Sequence, residues 1–219
     1  MHGAEQMRQE TARLGLACAG GIALIALTAC GSSGDDLNKQ RGLQFAKLVA
    51  ESDGSDSSDL SGVLGVGGAA PGGVPATASY AGVALATFTG SEEFTASSRF
   101  EMDVDFNEGS LSGKMTDWTP ENSRFFTMGG QVLISKGQIM PDGTFDAQMS
   151  GSVHRDMTAQ RRLQLADQGV EPPEDIQLTF TGAAEGSFRD SVAGELATHV
   201  QGSFSTPGMA EGVFIGRRD

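Results

Sequence analysis

The sequence predicts an all-β fold: a single antiparallel barrel of about eight strands with a filled interior. Three observations carry it. From Tyr80 onward, apolar and polar residues alternate with a period of two. Turn signals at Glu108-Gly109 and Pro141-Asp142-Gly143 divide the alternating runs. Glycine and phenylalanine recur two residues apart on one face, as small and large residues do inside a tapering barrel, where glycine also lets a coiled strand bend.

The chain opens differently. Leu14 to Ala29 is a run of 16 residues without a charge, flanked by Arg8 and Arg13, and its length suits the apolar core of a signal peptide better than a membrane span. Met7 opens a tighter leader than Met1, without Glu5 in the basic flank. The run ends Leu27-Thr28-Ala29-Cys30, followed by Gly31-Ser32-Ser33-Gly34, and this resembles the bacterial lipobox, in which the cysteine is acylated and becomes the first mature residue. Residues 1–29 are then a lipoprotein signal peptide. Cys18 leaves with it, so the one mature thiol, Cys30, is consumed by lipid and no disulfide forms within a molecule. Two or more acyl chains anchor stably where one holds marginally. Gly31 carries no inner-membrane retention signal, and the resemblance implies a lipid-anchored outer-membrane protein of a Gram-negative bacterium, surface-exposed or periplasm-facing.

Residues 30–79 read as a disordered, low-complexity tether: Ser52 to Gly62 is rich in serine and aspartate, and the next run, GVGGAAPGGVPATAS, has almost nothing large to bury. A flexible chain of 50 residues spans about 40 Å. Within it, Leu37 to Val49 can form a short helix with Phe45, Leu48 and Val49 on one side, although Gly42 interrupts it. Gly65 to Ala70 matches the glycine spacing of a dinucleotide loop but has no preceding strand or following helix. Asp53, Asp56 and Asp59 are spaced by three and lack the closing glutamate of a calcium loop.

Residues 80–219 form the barrel domain, with strands near 80–89, 98–107, 110–117, 129–139, 143–152, 176–188, 192–204 and 210–217. Arg99, Glu101, Asp103 and Asp105 alternate with Phe100, Met102, Val104 and Phe106, which puts the carboxylates on a solvated face and the apolar groups inside. A two-residue turn at Glu108-Gly109 sets Phe106 opposite Leu111, Met102 opposite Met115 and Asp103 opposite Lys114. The Pro141-Asp142-Gly143 turn sets Ile139 against Phe145 and Leu133 against Gly151.

Two connections break the alternation. Trp118 to Met128 holds the one Trp with Arg124, Phe125 and Phe126. Val153 to Gly169 reads as a short helix or long rim loop, with Met157, Leu163 and Ala166 on one side, and carries Arg155, Arg161 and Arg162. Barrel walls and a filled interior leave connecting loops as the binding surface, so Trp118, Arg124, Phe125, Phe126, Arg155, Arg161 and Arg162 are the candidate partner-binding residues. The competing structural reading is that Trp118 and Phe125 plug the barrel end.

With 28 acidic against 15 basic residues and a net charge of −13, a phosphate-neutralising nucleic-acid binder is excluded. No G-x-S-x-G, H-E-x-x-H, Walker loop or C-x-x-C occurs, so an enzyme is the third reading, after a binding module and a structural envelope protein without a dedicated ligand. His154 and His199 are the mature histidines. His199 alternates with Val200 and should face outward, while His154 reads as an exposed histidine rather than a haem or metal ligand, so no cofactor is called for.

Gly186-Ser-Phe188, Ala193-Gly194-Glu195-Leu196, Gly202-Ser-Phe204 and Gly212-Val-Phe214 with Gly216-Arg217-Arg218 together resemble the C-terminal strands of the β-barrel domain of transferrin-binding protein B and related surface lipoproteins. The motif is concentrated in residues 182–218. Receptor members are bilobed, with a handle domain before each barrel, whereas this chain has room for one barrel. The resemblance therefore implies a single-barrel binding lipoprotein, whose partner is a host or envelope protein, a haem carrier or an iron- or haem-related ligand. A dedicated surface-lipoprotein translocator is the further partner it implies.

Overall fold

Alternation along the strands resolves into an inside and an outside: Phe100, Met102 and Val104 are buried, while Arg99 before them and Asp103 among them are exposed and Glu101 is half-buried. The computed structural model describes residues 35–56, 74–89, 92–192 and 195–219. The leader, Cys30 and residues 57–73, with the dinucleotide-like glycines, lie outside the described residues. The elements are α1 (Asp35–Glu51), β1 (Ser52–Asp56), β2 (Thr77–Phe88), β3 (Phe94–Asp105), β4 (Ser110–Pro120), β5 (Phe126–Ile139), β6 (Thr144–Met157), α2 (Ala159–Asp167), β7 (Ile176–Ser191), β8 (His199–Thr206) and β9 (Ala210–Arg218).

Strands β2 to β9 pair antiparallel with their neighbours, and β9 returns to β2 while β8 pairs with β7, which closes an eight-stranded barrel. The short β1 pairs with the end of β7, at Ser191 and Arg189. One end of the barrel, the rim, carries the connections 89–93, 121–125, 158–175 and 207–209. The far end carries 106–109, 140–143 and 192–198.

The interior is filled by rings lying on glycines. Phe145 sits opposite Gly186, Phe214 opposite Gly202 and Phe204 opposite Gly212. A Cβ at Gly202 would stand 2.4 Å from Phe214 Cζ, so each ring occupies the volume its glycine leaves empty. Phe100 stacks on Phe214 at 4.7 Å, and Phe188 meets Tyr80, Phe106 and Phe145 within 5.2–5.7 Å. The Tyr80 hydroxyl donates to the Ala197 carbonyl at 2.6 Å, and burial pushes the phenol above its ordinary pKa.

Two registers differ from expectation. The turn after β3 has four residues, 106–109, because Phe106 dips fully into the core and the Glu108 amide donates to the Asp105 carboxylate. Pairing therefore slips by two: Val104 faces Leu111, Phe100 faces Met115, and Lys114 meets Glu101 instead of Asp103. A two-residue slip leaves each side chain on its face. In the second hairpin Ile139 does face Phe145, but a bulge at Lys136, whose φ is 53°, moves Leu133 opposite Ser150. Strand bounds also shift: β7 runs to Ser191 and β8 begins at His199, so 192–198 is a connection.

Residues 35–56 of the expected tether are packed on the barrel. Helix α1 presents Asn38, Arg41, Phe45, Leu48 and then Ser52, spaced three and four apart, to the outer faces of the strands. Phe45 and Leu48 cover Val83 and Ile215, outward residues that are nonetheless buried. Asn38 donates to the Pro120 carbonyl at 2.6 Å, and Arg41 donates to the Asp117 carbonyl at 2.6 Å and the Ser97 carbonyl at 3.1 Å. At the other end Glu51 lies 3.5 Å from Arg217 and 3.9 Å from His199. His199 thus points outward as expected, but this cover buries it; burial, then Arg217, lowers its pKa against the opposing pull of Glu51.

Candidate functional site

The rim gathers most of the residues singled out from the sequence, in positions set by strand alternation. Strand β6 continues to Met157, so Val153, Arg155 and Met157 point inward, and the irregular segment begins only at Thr158. Arg155 is consequently buried at 5% exposure and does not sit on a loop. Its guanidinium carbon lies 3.9 Å from the Phe126 ring centroid and 4.4 Å from that of Phe94. Phe94 in turn stacks on Phe88 at 4.8 Å. A column of ring, guanidinium, ring and ring therefore runs from the barrel mouth into the core. Such a cation between two aromatic faces is held in one orientation. Arg155 Nη2 donates to Glu92 Oε2 at 2.8 Å, and the Glu92 carboxylate is half exposed on the 89–93 connection.

Beside this column is a hollow of about 350 Å³ lined by Glu92, Phe126, Arg155, Met157, Asp175 and Ile176 among others. Asp175 accepts from the Met157 amide at 3.1 Å and pairs with Arg162. Arg162 also donates through Nε to the Met157 carbonyl at 3.3 Å, so it braces α2 against the end of β6.

The outer part of the rim is a second cluster. Phe125 lies between two cations, with Arg161 at 4.9 Å and Arg124 at 5.7 Å from its ring centroid. Thr158 caps α2 by accepting from the Arg161 amide, and its own amide donates to the Phe125 carbonyl at 2.8 Å. The cap therefore fixes α2 to the 121–125 connection.

Trp118 does not join the rim surface. It belongs to β4, is buried, and packs edge-on against Phe88 at 5.6 Å and beside Phe180, as the plug reading expects. Phe126 opens β5 and serves the Arg155 column. On α2 the buried residue is Leu165, while Leu163 and Ala166 are exposed, which corrects the expected face. His154 stands on the outer face of β6, over Gly129 and 3.7 Å from Asp156. Among the described residues no group of three His, Cys, Asp or Glu side chains is arranged to hold a metal. Sequence reasoning missed Glu92 and Phe94, which complete the Arg155 site from the 89–93 connection and the start of β3, and nothing in their local pattern marks them.

A separate hollow of about 380 Å³ lies at the far end across β2, β3 and β4, lined by Ser79, Asp103, Asp105, Ser110 and Ser112 among others. Ser79 donates to the Asp103 carboxylate there at 2.7 Å.

No family model and no curated protein matches the chain. Among solved structures, a double mutant of the vaccine antigen transferrin binding protein B from Haemophilus parasuis is similar over 65% of this chain, at 18% identity and a TM-score of 0.38. The match spans 25% of that protein's chain.

Proposed function

We propose that this protein is an outer-membrane lipoprotein, anchored through Cys30, whose barrel is a binding module that uses its rim. The observation that carries the reading is Arg155: a buried cation clamped between Phe94 and Phe126 at the wall of a hollow, with an exposed loop carboxylate, Glu92, as its partner. A ligand carboxylate can replace Glu92 at that guanidinium without moving it, because the rings hold the cation in place. The ligand group that fits this guanidinium is a carboxylate, and the sequence resemblance of residues 182–218 implies as its carrier a host or envelope protein or an iron- or haem-related ligand. Arg124, Arg161 and Phe125 supply the adjoining surface, and Trp118 supports it from below.

Two substitutions test the reading. Arg155→Met keeps much of the packing volume and removes the donors; loss of ligand capture with a melting temperature near that of the parent supports the site. Capture unchanged in both Arg155→Met and the pair Arg161→Glu with Arg162→Glu overturns it. For the anchor, metabolic palmitate label must be lost in Cys30→Ala, and label that persists refutes acylation at that residue.

A further inference from the structure

Resting on the carboxylate reading of the rim, we infer that the hollow beside Arg155 takes a carboxylate with a cation next to it, as at a peptide chain ending in lysine or arginine, and discriminates against ligands that are anionic throughout. The juxtaposition is one buried guanidinium, Arg155, and three exposed carboxylates, Glu92, Glu174 and Asp175, on the wall of one space of about 350 Å³. Arg155 and Glu92 neutralise one another, and Asp175 is neutralised by Arg162. Glu174 has no ion-pair partner among the described residues. The hollow therefore carries a carboxylate in excess before any ligand enters.

Binding sharpens that imbalance. A ligand carboxylate that takes the guanidinium displaces Glu92, whose Oε2 starts 2.8 Å from Arg155 Nη2, and leaves it without its counter-ion. Glu92 and Glu174 then both line the hollow unpaired, next to the newly bound anion. A second negative group on the ligand would be repelled by them, whereas a cation a few ångströms from the ligand's carboxylate would be paired by them. Glu92 thus has two parts: it competes for the guanidinium before binding and receives the ligand's cation afterwards.

The other arginines of the rim do not offset this charge. Arg124 and Arg161 lie over the Phe125 ring, and neither lines the hollow. The remaining wall suits the stem of a long cationic side chain, because Phe126, Met157 and Ile176 present apolar surface beside the carboxylates. One space therefore offers an anion site at its buried wall, an apolar stretch, and carboxylates at its exposed margin.

The test uses the full-length protein in detergent with methyl-labelled methionine and follows by NMR the methyl group of Met157, which lines the hollow. The probes are N-acetylated tripeptides with a free C-terminus, Ala-Ala-Lys, Ala-Ala-norleucine and Ala-Ala-Glu, which keep the terminal carboxylate and vary the charge beside it. The amide of the lysine peptide keeps the cation and removes the carboxylate. Affinity should fall from lysine to norleucine to glutamate, with the lysine peptide about three- to ten-fold tighter than the norleucine peptide, the worth of one or two exposed ion pairs. Glu174→Gln should narrow that gap; Glu92→Gln should narrow it and also tighten the norleucine peptide, because the competitor is gone. Lysine and norleucine peptides that bind equally, or a glutamate peptide that binds more tightly than either, overturn the charge inference, and if Arg155→Met abolishes that binding the carboxylate reading stands. An amide as tight as the acid, binding untouched by Arg155→Met, or a Met157 methyl that no peptide moves overturns the carboxylate reading and this inference together.

Discussion

Removing the Phe100 ring and filling the glycine beneath it should each destabilise the barrel, yet together they should cost less than their sum. Phe100 is fully buried; its ring reaches across Gly82, its partner on β2, to Gly216 on β9, where a Cβ would stand 3.0 Å from Phe100 Cε1 and 3.4 Å from the nearest carbonyl. Phe100→Ala leaves a cavity against Phe214 and should cost about 3–5 kcal/mol. Gly216→Ala forces the ring to shift and should cost about 1–3 kcal/mol. In the Phe100→Ala background the added methyl has room, and alanine restricts the unfolded chain more than glycine, so the second substitution should be nearly neutral. The cycle should thus show a favourable coupling of about 1 kcal/mol or more. Urea unfolding followed by fluorescence of the single, buried Trp118 reads each corner. Additivity within about 0.5 kcal/mol would refute the ring-on-glycine packing.

Other outcomes follow from the same geometry. In a Cys30→Ala background, cysteines at 101 and 114, directly opposite in the β3–β4 register, should form a disulfide readily, whereas cysteines at 103 and 114 should not; the reverse pattern restores the two-residue turn. Phe45→Ala should cost about 3 kcal/mol by uncovering Val83 and Ile215, and a chain beginning at residue 74 should bind an apolar dye more strongly than one beginning at residue 31. His199 has a lowered pKa in the fold, so the unfolded chain takes up the proton first; stability present above about pH 6.5 should fall as pH drops toward the folded value. His199→Gln should flatten the melting temperature between pH 7.5 and 5.5 relative to the parent, and an unchanged slope would refute the burial argument.

How much of this was legible in the sequence depended on the range of the interaction. Alternation in residues 99–106 reports burial directly, because each side chain's face follows from its parity, and the Gly and Phe spacing likewise exposed the interior packing. The first hairpin register was not legible: slipping by two preserves every face and still pairs Lys114 with a carboxylate. Nor was the bulge at Lys136: the left-handed residue is a lysine, and the adjacent Gly137 is one of many glycines in these strands. Helix α1 was half legible. Phe45, Leu48 and Val49 marked its apolar side, but its rim contacts are polar, Asn38 and Arg41, and they read as solvent-facing until barrel carbonyls are brought beside them. The outward apolar residues Val83 and Ile215 were the overlooked sign that something covers that wall. At the rim, composition found Arg155, Arg161, Arg124 and Phe125 but not their division of labour. Arg155 became a buried cation only because Glu92, Phe94 and Phe126 converge on it from other strands and connections.

The anchor underlies the proposed function, and the intact mass of the protein released from native membranes by detergent tests it most directly. A chain that begins at Cys30 and carries the added mass of a diacylglyceryl group with an N-acyl chain is the predicted result. A mature chain without lipid, or one that begins at any other residue, contradicts it.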